Sequence, residues 1–259
     1  HVGIFFESDR SDTLLEKLRG RAEAHHCSSY LEYYYMLKYE EHGPSEWRRV
    51  MDALSVQETY FWREFAQIRV LVDTVVPAWF KRHPLPLRIW SAACATGEEP
   101  ASIAMALQEA GWGSHPISIY ASDASEAALT KARAGIYRER AFRTLPPELR
   151  AKYFDPPTAA GSRLRSEMLL PIAYRCANLV VPAEIETLAD APVIFCRNVF
   201  IYFSPDAIRR SVASFATGMH AGDHLFVGAS ESLLGLTTDF ALHELGDASV
   251  YIRNPRSRT

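Results

Sequence analysis

The feature that most constrains the fold is a strand, a turn of small residues and a helix in the middle of the chain. Residues 87–90 have the composition of a short buried strand, and residues 101–107 that of a helix that ends before Gly111. The turn between them, residues 91–100, reads SAACATGEEP. This order of elements is typical of a nucleotide-type cofactor site at the edge of a parallel sheet.

The charge of this turn is opposite to that of a phosphate-binding loop. Phosphate is held by backbone N–H groups at the positive end of a helix, but Glu98 and Glu99 occupy that end here. One interpretation is structural, because acids near a helix N-terminus and a proline in its first turn both favour the helix. The other is a cofactor that has no phosphate and carries positive charge. S-adenosyl-L-methionine, with its ammonium and sulfonium groups, fits that description.

Composition argues against several classes of protein. The 259 residues suffice for one large domain or for a domain with a small companion, and the net charge of −3 argues against general binding to nucleic acid. The four cysteines form no CxxC pair, so we expect no metal site, no disulfides and a cytoplasmic location. No stretch approaches the roughly 20 apolar residues of a membrane span, so we expect no membrane insertion.

The region before the central turn is predicted to be helical. Apolar periodicity predicts an all-helical N-terminal domain over residues 1–58. In its first helix, Lys17, Arg19 and Arg21 are expected to face solvent, interleaved with acidic residues. This face is either an ordinary solvated surface or a contact surface for an acidic partner.

A linker helix over residues 59–86 is predicted between this domain and the central strand. Pro77 is expected to break it, because proline lacks a backbone N–H group. At the start of the linker, Arg63 follows three consecutive aromatic residues. Stacking on aromatic rings can hold a guanidinium rigidly, so Arg63 is a candidate for positioning a carboxylate, and an ordinary surface arginine is the alternative.

Two further strands are predicted to end in polar residues. Residues 117–123 form a strand that ends at Asp123, where a doubly wound fold binds ribose hydroxyls. Asp123 is alternatively the N-cap of the next helix. A buried strand over residues 192–198 ends at Arg197 and Asn198. Because ligands lie across the carboxyl ends of the strands in an open α/β sheet, the glutamate turn and these residues are expected to form one site.

The regular alternation of strands and helices stops at about residue 136. Residues 136–176 contain two Pro-Pro pairs and a polar alternation that continues to Ile172 and Tyr174. They predict a small antiparallel β-subdomain inserted into a sheet domain that covers residues 87–253. A polar tail is predicted over residues 254–259.

Four sequence motifs in this order resemble those of the chemotaxis receptor methyltransferase family, the CheR type, over nearly the whole chain. The motifs are residues 58–64 (ETYFWRE), 92–100 (AACATGEEP), 121–123 (ASD) with 135–137 (GIY), and 196–203 (CRNVFIYF). The resemblance implies an α/β fold, in which a Rossmann-like methyltransferase sheet carries a small antiparallel β-subdomain and follows an all-helical N-terminal domain. It also implies methyl transfer from S-adenosyl-L-methionine to glutamate side chains on cytoplasmic helices of chemoreceptor-type proteins, with S-adenosyl-L-homocysteine as product.

The same resemblance implies roles for individual residues. Asp123 would bind the ribose, and Asn178 and Leu179 would lie beside the adenine. Arg63 and Tyr202 would be the catalytic residues that hold the acceptor carboxylate. The residues implied to bind the cofactor are Gln57, Thr59, Arg63, Glu98, Glu99, Asp123, Asn178, Leu179, Arg197 and Asn198.

The implied reaction depends on alignment of the acceptor with the methyl group more than on proton transfer. A glutamate acceptor is already ionised near neutral pH, so in-line attack on a sulfonium methyl group needs orientation and not a general base. We expect a monomer. One alternative is a methyltransferase-like signalling domain that binds cofactor or a partner without turnover, or that has another target. A second, a nicotinamide-dependent oxidoreductase, is disfavoured by the glutamate pair and by the absence of a GxGxxG turn.

Overall fold

A seven-stranded sheet organises most of the computed structural model, which describes residues 3–5 and 11–255. The strands, in chain order, are β1 (Leu87–Ala92), β2 (Ile117–Asp123), β3 (Ile136–Tyr137), β4 (Ser162–Arg163), β5 (Ile172–Cys176), β6 (Val193–Cys196), β7 (His224–Val227), β8 (Phe240–Leu245) and β9 (Ala248–Arg253). The large sheet has the order β5-β2-β1-β6-β7-β9-β8, and β3 and β4 form a separate pair. The predicted tail lies outside the described residues from residue 256 onward.

The middle of the sheet is parallel and buried. Strand β1 pairs in parallel with β2 on one side and with β6 on the other. Ile89, Trp90 and Phe195 have no exposed surface, as is typical of strands that are covered on both faces. Because parallel neighbours end at the same edge of a sheet, the residues after β1, β2 and β6 lie side by side. The predicted fold class is therefore confirmed.

The helices surround this sheet and form a separate group at the start of the chain. They are α1 (Ser11–Ala24), α2 (Tyr30–Tyr39), α3 (Gly43–Leu54), α4 (Phe65–Val70), α5 (Val76–Arg82), α6 (Glu98–Glu109), α7 (Glu126–Ala134), α8 (Pro147–Tyr153), α9 (Pro182–Ala189) and α10 (Pro205–Gly218). Helices α1 to α3 share an apolar core that includes Tyr33, Leu37 and Val50. The predicted helical domain is thus observed over residues 11–54, whereas Ile4 pairs with Phe203 in an isolated β-bridge.

One basic residue of α1 forms an ion pair within the helical part of the protein. Glu46 of α3 is 1% exposed, and Arg21 donates to both of its oxygens at 2.8 and 2.6 Å. A buried carboxylate requires a cation or several hydrogen-bond donors, and α1 supplies one. The Arg21 side chain is still 25% exposed, so the expectation that it faces solvent holds only in part.

The linker helix passes through its proline. Helix α4, a π-helical turn over Leu71–Val75 and α5 follow one another without a break, so the expectation that Pro77 ends the helix is wrong. In the π-helical turn, the N–H of Val76 donates to the carbonyl of Leu71, five residues earlier. This wider turn stands directly before Pro77, where a proline ring would crowd a regular helical ladder.

The region after β2 differs from its prediction in two respects. Ile172 and Tyr174 lie in β5, which pairs in parallel with β2 at the edge of the main sheet. The antiparallel pair consists of β3 and β4 alone, so assigning these two residues to the insertion was wrong. Strand β8 was not predicted. It is an edge strand whose only fully buried residue is Phe240, and it therefore lacks the alternation that marks a half-buried strand.

Candidate functional site

A cavity of about 330 Å³ opens where β1, β2 and β6 end. This volume is within the usual range for small-molecule sites. Ten of the eleven predicted site residues line it, and Glu98 does not. The ten are Gln57, Thr59, Arg63, Glu99, Asp123, Asn178, Leu179, Arg197, Asn198 and Tyr202.

The turn after β1 has an unusual backbone for a sequence rich in alanine. Ala93 and Ala95 have φ values of 58° and 47°, and Gly97 has φ 92°. A side chain at position 97 would also lie 2.9 Å from the Cβ of Ala132, so only glycine fits there. The N–H of Cys94 donates to the carbonyl of Ser122 at 2.8 Å. The turn is therefore fastened to β2 and brings the start of α6 to the cavity.

Glu99 is the acid that the turn presents to the cavity. Its side chain is 14% exposed, and it accepts a hydrogen bond of 2.6 Å from the hydroxyl of Ser91. Its other oxygen lies 3.3 Å from Nε of Arg197. Burial raises the pKa of Glu99 more than the nearby charge of Arg197 lowers it. A cation bound in the cavity would stabilise the ionised form of this carboxylate.

Glu98 has a different environment although it is the adjacent residue. It is 4% exposed, and the hydroxyl of Thr96 donates to it at 2.7 Å. Burial raises the pKa of Glu98 as well. Successive residues of a helix are separated by about 100° around its axis, and here Glu99 lines the cavity whereas Glu98 does not.

Asp123 joins the turn to the end of β2. One of its oxygens accepts from the N–H of Ala95 at 2.9 Å, and the other accepts from the N–H of Ser125 at 2.8 Å. The N-cap of α7 is Ser125, whose hydroxyl accepts from the N–H of Ala128. Burial raises the pKa of Asp123. The alternative that Asp123 serves as the helix N-cap is therefore wrong.

Arg197 is the most buried cation of the site, with a side chain that is 2% exposed. Its Nη2 donates to the carbonyl of Arg63 at 2.5 Å. Among the described residues, its Nε and Nη1 make no hydrogen bond, although Nε lies 3.3 Å from Oε2 of Glu99. Buried donors without a hydrogen bond are costly, and a carboxylate that reached Nη1 would satisfy that donor. A cofactor with an amino-acid end therefore fits the residues present, since its carboxylate matches Arg197 and its ammonium matches Glu99.

Arg63 lies nearer the opening of the cavity and is 25% exposed. Its Nη1 donates to the carbonyl of Glu58 at 3.0 Å, and its guanidinium lies 5.5 Å from the centre of the Tyr60 ring. Arg143 lies on the same ring at 3.7 Å. Arg63 therefore makes a cation–π contact with Tyr60, although Arg143 lies closer to that ring, and its guanidinium is within reach of a molecule that enters the cavity.

Three residues that shape this site are not among the predicted site residues. Lys17 of α1 lines the cavity, which shows that the helical part of the chain contributes to it. Glu64 and Glu231 bind the loop after β6 through backbone and side-chain hydrogen bonds. Glu64 is the last residue of the ETYFWRE motif, and Glu231 lies in the stretch Ser-Glu-Ser-Leu at residues 230–233. Their places in these two stretches were the sequence signal that could have identified them as site residues.

The structure also limits other kinds of site. In residues 3–5 and 11–255, no three His, Cys, Asp or Glu side chains are grouped so that they could hold a metal ion. Within the same ranges, none of the helices combines the length and the hydropathy that crossing a bilayer requires.

A mostly parallel sheet with this cavity defines a class of enzyme. The central strands end at a pocket that is lined by the acid Glu99 and by the buried Arg197, 3.3 Å apart. With Asp123 at the end of β2, these features are those of a methyltransferase that uses S-adenosyl-L-methionine.

Comparison with known proteins narrows this class to one family. The family model described as CheR methyltransferase, SAM binding domain, matches residues 57–248, and that described as CheR methyltransferase, all-alpha domain, matches residues 1–55. The chain therefore belongs to the CheR methyltransferase family, and its cofactor is S-adenosyl-L-methionine.

Curated relatives agree with this assignment. Chemotaxis protein methyltransferase 2 of Vibrio cholerae serotype O1 is 33% identical, over 100% of this chain and 90% of its own. Chemotaxis protein methyltransferase 1 of the same organism is 35% identical, over 78% and 74%. The chemotaxis protein methyltransferase of Salmonella typhimurium LT2 is 31% identical, over 93% and 83%. Among solved structures, magnesium protoporphyrin IX methyltransferase of Synechocystis PCC 6803 is 16% identical, with a TM-score of 0.36 over 85% of this chain and 91% of its own.

Proposed function

We propose that this chain transfers the methyl group of S-adenosyl-L-methionine to glutamate side chains on cytoplasmic helices of chemoreceptor-type proteins and so forms glutamate methyl esters. One observation carries the proposal. A single cavity joins Glu99 and Asp123 at its inner end to Arg63 and Tyr202. It therefore has groups that suit a cationic cofactor and groups that suit an anionic acceptor. The names of the relatives, which are chemotaxis protein methyltransferases, support the same acceptor class.

In this proposal the inner residues hold the cofactor. Glu99 meets the ammonium, Arg197 meets the carboxylate and Asp123 meets the ribose hydroxyls. Asn178 and Leu179 lie beside the adenine. Glu98, which lies outside the cavity, acts only through the fold of the turn.

The remaining residues orient the acceptor. When bound, the cofactor supplies a sulfonium methyl group, which passes to a carboxylate oxygen while the electron pair of the broken C–S bond stays on sulfur. Arg63 and Tyr202 hold the acceptor carboxylate in line with that methyl group. Orientation of this kind can supply a large part of the rate acceleration. An arginine that bound the carboxylate too tightly would stabilise the ground state instead.

The experiment uses cytoplasmic fragments of chemoreceptors and cofactor that carries a labelled methyl group. The expected product is a carboxyl ester, so mild base releases the label as volatile methanol. Label that remains on the protein after base treatment would indicate another acceptor atom and would contradict the proposal. An enzyme that binds cofactor but labels no fragment would favour the alternative of a binding domain without turnover.

Replacing Arg63 tests the division of roles between the two ends of the cavity. For Arg63→Ala we expect the rate of transfer to fall about 100-fold, because the acceptor carboxylate loses its orientation. We expect cofactor affinity to stay within about threefold, because the buried donors of Arg197 remain. Calorimetric titration and single-turnover rates measure the two effects. The matched control is Arg143→Ala, which removes the other arginine on the Tyr60 ring.

Equal losses of affinity and rate in Arg63→Ala would contradict this division. Arg143 does not line the cavity, so its removal should leave both quantities within about twofold. We further propose, as properties that accompany this function, a cytoplasmic location and a monomeric enzyme.

A further inference from the structure

The loop after β6 carries three of the site residues but little regular structure of its own. Arg197, Asn198 and Tyr202 stand within six consecutive residues, of which only Phe200–Tyr202 form a short 3-10 turn. Asn198 has φ 58°, a backbone conformation that costs free energy unless its surroundings enforce it. The loop therefore depends on contacts with other parts of the chain.

Glu231 supplies the main contacts of the loop. Its Oε2 accepts from the N–H groups of Asn198 and Gly228 at 2.8 and 2.6 Å. Its Oε1 accepts from the N–H groups of Phe200 and Ile201 at 2.7 and 3.2 Å. One carboxylate thus collects four backbone donors, three of them in the loop.

Glu64 holds the side chain of the same asparagine. Its Oε1 accepts from Nδ2 of Asn198 and its Oε2 from the N–H of Ala229, both at 3.0 Å. Glu64 itself has φ 49°, and it directly follows Arg63. The two glutamates therefore fix Asn198 from two sides, one through its backbone and the other through its amide group.

The space around this arrangement is filled. A Cβ on Gly228 would lie 2.6 Å from Nδ2 of Asn198 and 2.7 Å from Oε2 of Glu231. Such contacts are too short to be tolerated without a shift of the loop. Glu231 is therefore closely packed against the ends of β6 and β7.

We propose that Glu64 and Glu231 are positioning residues for methyl transfer. They set the backbone of residues 198–201, and through it the place of Asn198 and Tyr202 at the cavity. The part of this inference that concerns rate rests on the proposed function above. Neither glutamate needs to touch the cofactor or the acceptor for this role.

The test replaces each carboxylate with its neutral isostere. In Glu231→Gln, an NH₂ group takes the place of one oxygen and faces two N–H donors, so at least two hydrogen bonds are lost. We expect the single-turnover rate with saturating cofactor and acceptor to fall about 100-fold, since small misplacements of reacting groups have effects of this size. Cofactor affinity should fall less, by about fivefold, because Glu99 and Asp123 are unaffected. Glu64→Gln should change both quantities in the same direction by smaller factors.

The matched control is Asp223→Asn. Asp223 is a buried carboxylate, 8% exposed, that accepts from the N–H of His220 at 2.6 Å and does not line the cavity. It should lower the melting temperature without changing the transfer rate of the folded enzyme. Hydrogen exchange supplies a readout that needs no acceptor. The amides of Asn198, Phe200 and Ile201 should lose protection in Glu231→Gln and keep it in Asp223→Asn.

Two results would overturn the inference. One is unchanged exchange of these amides in Glu231→Gln. The other is a rate loss in Glu231→Gln and Glu64→Gln that is no larger than in Asp223→Asn at equal folded fraction. A wild-type enzyme that methylates no receptor glutamate would instead refute the proposed function, and the exchange measurement would still decide whether Glu231 sets the loop.

Discussion

Two buried glutamates, Glu46 in the helical part and Glu99 in the cavity, lie in contrasting surroundings. Glu46 accepts hydrogen bonds from Arg21 and from the hydroxyl of Tyr33, and Nε2 of His25 lies 3.0 Å away. Burial opposes its ionisation, but these partners outweigh burial and lower the pKa of Glu46 from 4.5 to about 2.

Glu99 is left short of partners. In the described part of the chain it accepts one hydrogen bond, from Ser91, and Arg197 stands at 3.3 Å. Burial therefore prevails, and the pKa of Glu99 is raised. This difference indicates that the two carboxylates have different roles. A carboxylate with a full set of partners stabilises the fold, whereas one with an incomplete set can gain from a cationic ligand.

Among the substitutions that distinguish the two glutamates, removing the charge of Glu99 should have the largest effect. For Glu99→Gln we expect cofactor affinity to fall about 100-fold, or about 2.7 kcal/mol, because the ammonium loses its buried counter-charge. Stability of the empty protein should fall less than in Glu46→Gln, because burial already opposes the ionisation of Glu99 and Glu64, 4.0 Å from Nε of Arg197, remains as a counter-charge. Calorimetric titration and thermal unfolding measure these effects.

The control for that substitution is the adjacent glutamate. Glu98→Gln also neutralises a buried carboxylate, but one that lies outside the cavity. Its effect on cofactor affinity should stay within about threefold. If Glu98→Gln weakened binding as much as Glu99→Gln, the assignment of the cation-binding role to Glu99 would be wrong.

Neutralising the structural carboxylate should act on stability instead. For Glu46→Gln we expect the free energy of unfolding to fall by about 2 kcal/mol, because Arg21 loses its buried counter-charge and a donor replaces an acceptor. Cofactor affinity should be unchanged. Denaturant unfolding measures the first quantity, and titration the second. A stable variant with weakened cofactor binding would reverse the roles of Glu46 and Glu99.

The smallest expected effect concerns pH. The pKa of Glu46 is about 2 in the folded protein and near 4.5 when unfolded. Its contribution to stability is therefore complete well above pH 4.5 and is lost as the pH falls toward 2. Between pH 6 and pH 3, the stability difference between wild type and Glu46→Gln should shrink by about half.

The contribution of Glu99 to stability depends on pH in the opposite direction. Its folded pKa is raised, so in the empty protein its ionisation costs stability once the pH rises through the unfolded value. Unfolding curves of wild type and both variants over this pH range test the two signs together. A constant difference between wild type and Glu46→Gln would contradict the account of Glu46.

The sequence was sufficient for the parts of the fold and site that depend on local pattern. The turn between β1 and α6, the acid at the end of β2 and the polar end of β6 are short-range signals. Parallel pairing of neighbouring strands then places them together. Because of this topology, ten of the predicted residues line the cavity.

The remainder depends on contacts between distant parts of the chain. Glu99 lines the cavity and Glu98 does not, and the positive φ values of Ala93 and Ala95 in the preceding turn follow from no composition rule. The pairing of Arg21 with Glu46 spans 25 residues, and that of Asn198 with Glu231 spans 33. Helix and strand periodicity contains no information on such partners.

The central claim is that the cavity joins a cationic methyl donor to a glutamate side chain. Peptide mapping by mass spectrometry tests it most directly, after chemoreceptor cytoplasmic fragments are incubated with enzyme and S-adenosyl-L-methionine. The account predicts a mass increase of one methyl group on particular glutamates, which forms about 100-fold more slowly with Arg63→Ala at the same cofactor occupancy and is removed by mild base. Methyl groups on any other residue type, or none on any fragment while the cofactor is bound, would contradict it.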